Sequence, residues 1–77
     1  MSRPAQLQVN LAGAWKTVLK FDAGDDAAAE KVQQGAVLLY EADPHSNWRI
    51  ATAERWPTVL RCMGRSTYGI WMDRSEP

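Results

Sequence analysis

His45 stands beside Ser46 and two residues from Asp43, the residue types of a Ser–His–acid relay. A working relay needs those groups to converge in space beside a site that stabilises an oxyanion. Neighbours within one loop cannot present that geometry, so the segment reads as a turn. Asp22, Asp25 and Asp26 bring carboxylates together, but the spacing and closing glutamate of a calcium-binding loop are missing. They read as helix caps. His45 and Cys62 lie far apart and cannot supply the three or four ligands of a metal site. Gly13, Gly24 and Gly35 form no phosphate-cradling loop. The chain is therefore expected to be non-enzymatic, with no cofactor and no metal.

The residues left for function are basic and aromatic. Lys16, Lys20, Arg49, Arg61 and Trp71 alternate with apolar residues along expected strands. Arg and aromatic side chains on an open sheet can bind phosphates and stack bases. Trp, Arg and Met are equally the types enriched at protein interfaces. The third reading is a face that merely meets water or covers itself. Arg55–Trp56, just before Pro57, makes a second candidate patch, either a lid on the core edge or an exposed anchor. Trp15 and Trp48 are expected in the core.

Charge sharpens the choice of partner. The 77 residues sum to zero, but residues 1–20 carry +3, residues 21–44 carry −5 and residues 45–77 carry +2. An acidic helix and basic strands follow from that segregation. A neutral total is unusual for a dedicated nucleic-acid domain. With 45% apolar and 23% charged residues the composition is that of a folded protein. A lone cysteine argues for a reducing compartment. The N-terminus has no apolar signal region, and no run reaches the ~20 apolar residues of a membrane span. A cytoplasmic location is expected.

The elements that must position these residues follow from periodicity. Leu7, Val9 and Leu11 alternate with polar residues, as do Trp15, Thr17, Leu19 and Phe21, giving two strands. A three-residue loop, Leu11-Ala12-Gly13, pairs Val9 with Trp15 and Leu7 with Thr17, so that the apolar sets coincide. Gly13 supplies the left-handed position that such a loop wants. From Asp26 to about Ala42 the spacing turns helical, with Ala28, Ala29, Val32, Gly35, Ala36, Leu39 and Tyr40 on one face. Val37 and Leu38 widen that face, and close approach to a sheet would account for Gly35. Asp43-Pro44 stops the helix.

Three further alternating runs follow: Trp48–Ala53, Thr58–Met63 and Tyr68–Asp73. The order is ββαβββ, which implies an α+β fold with one helix on one face of a five-stranded antiparallel sheet. Residues 1–77 form one domain, with frayed tails expected at 1–4 and 74–77. Alternation places Trp48, Ile50, Leu60, Cys62, Tyr68, Ile70 and Met72 toward the helix. It places Gln6, Gln8, Lys16, Val18, Lys20, Arg49, Val59, Arg61, Met63 and Trp71 on the opposite, open face.

In size and style the chain resembles the small orphan proteins carried by phages and prophages. Segments such as Gly13-Ala14-Trp15-Lys16-Thr17-Val18 and Asn47-Trp48-Arg49-Ile50-Ala51-Thr52 have that look. Some of that class, the anti-CRISPR proteins, are compact α+β domains that inhibit a host defence complex by binding it. The resemblance implies a protein-binding inhibitor or adaptor, directed at a host nucleoprotein machine. It carries over no site residue. The alternatives are a small single-stranded nucleic-acid binder and a structural homodimer joined by open faces or edge strands.

Overall fold

The computed structural model describes residues 3–73; the tails expected at Met1, Ser2 and positions 74–77 lie outside the described residues. Arg3 and Pro4, also expected to fray, are tied down. The Arg3 N–H donates to Asp22 Oδ1 at 2.7 Å, and the Ala23 N–H donates to the Arg3 carbonyl at 2.9 Å. Pro4 opens strand β1, Pro4–Asn10. Then come β2 (Trp15–Asp22), helix α1 (Asp26–Ala42), β3 (Asn47–Thr52), β4 (Val59–Met63), a 3-10 turn at Arg65–Thr67, and β5 (Met72–Asp73). The five strands make one antiparallel sheet in the order β2-β1-β3-β4-β5, with α1 on one face. The α+β architecture is the one that the periodicity predicts.

Local signals act as expected around the helix. Asp25 Oδ1 accepts from the Ala27 and Ala28 N–H groups at 3.1 and 3.2 Å, capping the positive end of α1. At the other end the Asp43 N–H donates to the carbonyls of Leu39 and Tyr40 before Pro44. The helix lays Ala36, Val32 and Tyr40 on a core of Ala5, Leu7, Trp48, Ile50 and Met63. At the hairpin tip, Gly13 takes φ +85°, and its N–H donates to Asn10 Oδ1 at 2.9 Å.

Two β-bulges overturn part of the face assignment. The first hairpin pairs Asn10 with Trp15 and Val9 with Lys16, so its loop spans Leu11 to Ala14. At the base of the same hairpin Leu7 pairs with Leu19, leaving Val18 as the extra residue of a bulge. The bulge joins two registers of opposite phase. Leu19 and Phe21 face the helix, as expected. Trp15 and Thr17 do not, and Lys16 lies on the helix side, beside Val9. The second bulge is at Leu60: Ala51 pairs with Val59, but Ile50 pairs with Arg61 and Trp48 with Met63. Beyond it the phase inverts. Arg61 and Met63, expected on the open face, turn toward the helix. Cys62, expected inside, sits opposite Arg49 on the open face.

The last expected strand is mostly a turn. Tyr68 and Gly69 adopt left-handed backbone, φ +56° and +75°, which no strand tolerates. A side chain on Gly69 would collide with the Tyr40 ring, its Cβ lying 2.8 Å from Cε2, so the glycine is required there. As a result Tyr68, Ile70 and Met72 are exposed, and Trp71 alone turns inward onto the helix.

Candidate functional site

The sheet face opposite the helix keeps Lys20 and Arg49 of the expected binding residues. It is largely closed by its own side chains. Gln6 and Gln8 are 7% and 8% exposed although no helix covers them. Thr17 Oγ1 donates to Gln6 Oε1 at 2.7 Å, and Gln6 Nε2 donates to the Thr52 carbonyl at 3.0 Å. Arg49 Nε donates to Gln8 Oε1 at 2.6 Å while its guanidinium lies 4.2 Å from the centre of the Trp15 ring. The first bulge makes this possible, because it brings Trp15 to the same face as Arg49. Bulged residues often re-aim side chains in this way.

Arg61 and Trp71 instead meet at the N-terminal half of α1. Arg61 Nη1 donates to Gln33 Oε1 at 2.8 Å and its Nε pairs with Asp73 Oδ1 at 2.7 Å. Trp71 Nε1 donates to the Gln33 carbonyl at 3.0 Å. They bound a cleft of about 640 Å³ floored by Phe21, Val37, Ile50 and Leu60. Arg61 and Trp71 are both bonded to Gln33, and Arg61 also to Asp73, so this set braces the helix against β4 and β5. Arg55 and Trp56 form the third place: the guanidinium lies 5.7 Å from the ring centre, and Trp56 is 79% exposed. The loop beneath is closed by Thr52, which exchanges hydrogen bonds with Thr58. Trp56 is thus an exposed group and not a lid.

The seven residues singled out from the sequence therefore fall on separate surfaces. Lys16 stands apart, exposed on the helix side near the hairpin tip.

A fourth surface was not anticipated. Between α1 and β2 runs an almost wholly apolar groove of about 520 Å³. Its walls are Val18 and Leu19 from the edge strand, and Val32, Leu38 and Leu39 from the helix, with Leu7 at the bottom. Leu38 is 67% exposed and Leu39 52%. Lys31 is the one charged residue among its lining residues. Gly35 lies in this groove, and a Cβ built there meets no atom within 4 Å. The expected close approach of Gly35 to the sheet does not occur. A mid-helix glycine costs about 1 kcal/mol relative to alanine, and no packing at Gly35 among the described residues offsets it. The sequence held a trace of this surface. Val37, Leu38 and Leu39 in succession give α1 more apolar width than one sheet contact can bury.

Chemistry elsewhere is sparse. Ser46 is 2% exposed; its hydroxyl donates to the Asp43 carbonyl at 2.7 Å and accepts from Trp48 Nε1 at 2.8 Å. The Asp43–Ser46 segment is thus a turn that orients a core tryptophan. Among the described residues, His, Cys, Asp and Glu form no cluster of three that could hold a metal ion. Among the described residues, Asp22 is the carboxylate whose acidity its surroundings clearly shift. The N–H groups of Arg3 and then Gly24 hold it below the usual aspartate range. No helix among the described residues is long and apolar enough to cross a membrane. The chain matches no protein-family model, no curated protein and no solved structure.

Proposed function

We propose that this protein is a small non-enzymatic binding module that docks a protein partner through the α1–β2 groove. The observation that carries the reading is the exposure of Val18, Leu19, Leu38 and Leu39 around one apolar groove. A domain of this size has little apolar surface to spare. Contiguous exposed apolar groups with a polar surround mark interaction sites. The lone cysteine fits a cytoplasmic setting. The likeness to small phage proteins fits an inhibitor or adaptor of a larger assembly.

The nucleic-acid reading loses support from the same geometry. Arg61 is committed to Gln33 and Asp73, Trp71 faces the helix, and Arg49 is stacked on Trp15. What remains on the open sheet is not an array of free aromatic platforms.

Leu38→Asp tests the groove cleanly because Leu38 is exposed. Its unfolding free energy should stay within about 0.5 kcal/mol of the parent. Affinity capture should lose the specific partner retained by the parent chain and by Trp56→Ser. If Leu38→Asp keeps every partner and Trp56→Ser or Lys20→Glu loses them, the groove is the wrong surface.

A further inference from the structure

The groove has a shape that one occupant fits. Ala28, Gly35 and Ala42 recur every seven residues along α1, so they line up on one flank of the helix. Leu38, Leu39, Val32 and Lys31 border that line. The flank faces neither the core nor any other element at its midpoint, where a Cβ on Gly35 would meet open space. Small residues at such a position let a second backbone come close. A helix is the element whose own ridge follows the same seven-residue spacing.

Charge then selects which helix. Lys31 lies in the groove, ten residues before Glu41, which is exposed on the side of the helix beyond Leu38. In an antiparallel pair of α1 helices with Gly35 on the two-fold axis, Ala28 faces Ala42 of the other copy. Lys31 then lies opposite Leu39, about 3 Å along the axis from the level of Glu41. A lysine stem spans that offset. The two-fold repeats the ion pair, so the face is complementary to itself, as an isologous interface requires. The edges of β2 come alongside, and Val18 and Leu19 extend the apolar contact. The bulge at Val18 interrupts the β2 edge, so side chains and not strand hydrogen bonds make that part of the contact.

We propose that the groove's occupant is a second copy of this chain, docked by antiparallel α1–α1 packing at Gly35 with reciprocal Lys31–Glu41 pairs. This rests on the groove being the docking surface and names its partner. One helix flank and one strand edge make a small contact, and specific interfaces start at about 1,200 Å² in total. The dimer is accordingly read at high protein concentration.

Sedimentation of the full chain over a concentration series should show reversible dimerisation. Gly35→Leu should weaken it by at least about tenfold, the effect of 1.4 kcal/mol. Lys31→Glu alone and Glu41→Lys alone should each weaken self-association, since each places like charges opposite one another. Mixing K31E with E41K should restore a dimer, now a heterodimer. All three positions are outside the core, and circular dichroism of each variant checks that it is folded. A parent chain that stays monomeric at the highest concentration overturns the inference, as does a K31E and E41K mixture that behaves as the sum of its parts. If the parent is monomeric and Leu38→Asp still abolishes partner capture, the groove remains a docking surface and only its occupant is wrong.

Discussion

The open sheet face and the α1–β2 groove have exchanged the roles that their positions would assign. The face without a helix should be wet, yet Gln6 and Gln8 are buried there beneath Arg49, Trp15 and Thr17. The groove belongs to the covered layer, yet Leu38 and Leu39 on its helix wall are more than half exposed. Polar groups close to one another can satisfy each other in place. Apolar groups at the margin of a single helix cannot, because only another apolar surface covers them. In this two-layer domain the polar face therefore closes on itself, while the apolar margin of the helix is left to solvent.

That contrast can be broken first at the polar face. Arg49→Ala removes the donor that Arg49 supplies to Gln8 Oε1 and uncovers the Trp15 ring. An acceptor left unsatisfied in a buried place costs about 1–3 kcal/mol, and loss of the cation–π contact about 0.5–1 kcal/mol more. Urea unfolding should show destabilisation of about 2 kcal/mol with little change in slope. A near-neutral result would mean that the face is solvated after all. A double-mutant cycle with Trp15→Ala isolates the stacking part.

The groove gives the opposite sign. Gly35→Ala places a methyl group where no atom lies within 4 Å. At low protein concentration it should stabilise the fold by about 1 kcal/mol. For a domain of this size that raises Tm by about 4–8 °C. A destabilised variant would show that the glycine serves an intrachain contact.

The smallest effect separates both surfaces from the N-terminal clasp. The Asp22 carboxylate is held below its ordinary range by the N–H groups of Arg3 and Gly24. Its contribution is present above the unfolded value of about 3.9 and is lost as pH falls through the lower folded value. Asp22→Asn should be slightly less stable than the parent at neutral pH. The gap should close in strong acid. A gap that is independent of pH would show that the carboxylate charge contributes nothing.

Much of the fold was legible in the residues. The 3.6-residue spacing from Asp26, the Asp25 cap and the Asp43-Pro44 stop define α1 by local chemistry alone. The strands announced themselves by alternation. Alternation also explains the failures, because it carries a phase, and a bulge inverts the phase of everything beyond it. Val18 and Leu60 are such points, and neither is a glycine or otherwise marked. Arg61, Met63, Cys62, Trp15 and Lys16 were misassigned for that one reason. Tyr68, Ile70 and Met72 mimic a strand, but the collision awaiting any side chain on Gly69 at Tyr40 comes from a residue 29 positions away. Lys20 and Arg49 could be placed from sequence. The groove could not, since it depends on where the helix lies relative to the β2 edge.

The place of β1 in the middle of the sheet has a consequence for synthesis. Its partner on one side, β2, follows within a few residues, but its other partner, β3, begins at Asn47. As the chain leaves the ribosome, the hairpin and helix can form while one edge of β1, with Ala5, Leu7 and Val9 beside it, has no strand to pair with. That pairing closes the longest loop in the sheet, and non-local pairings of this kind are the ones that slow folding. Until it closes, an apolar strand edge is available to neighbouring nascent chains. The order of strands in the sheet thus sets the interval during which this protein is most exposed to mispairing.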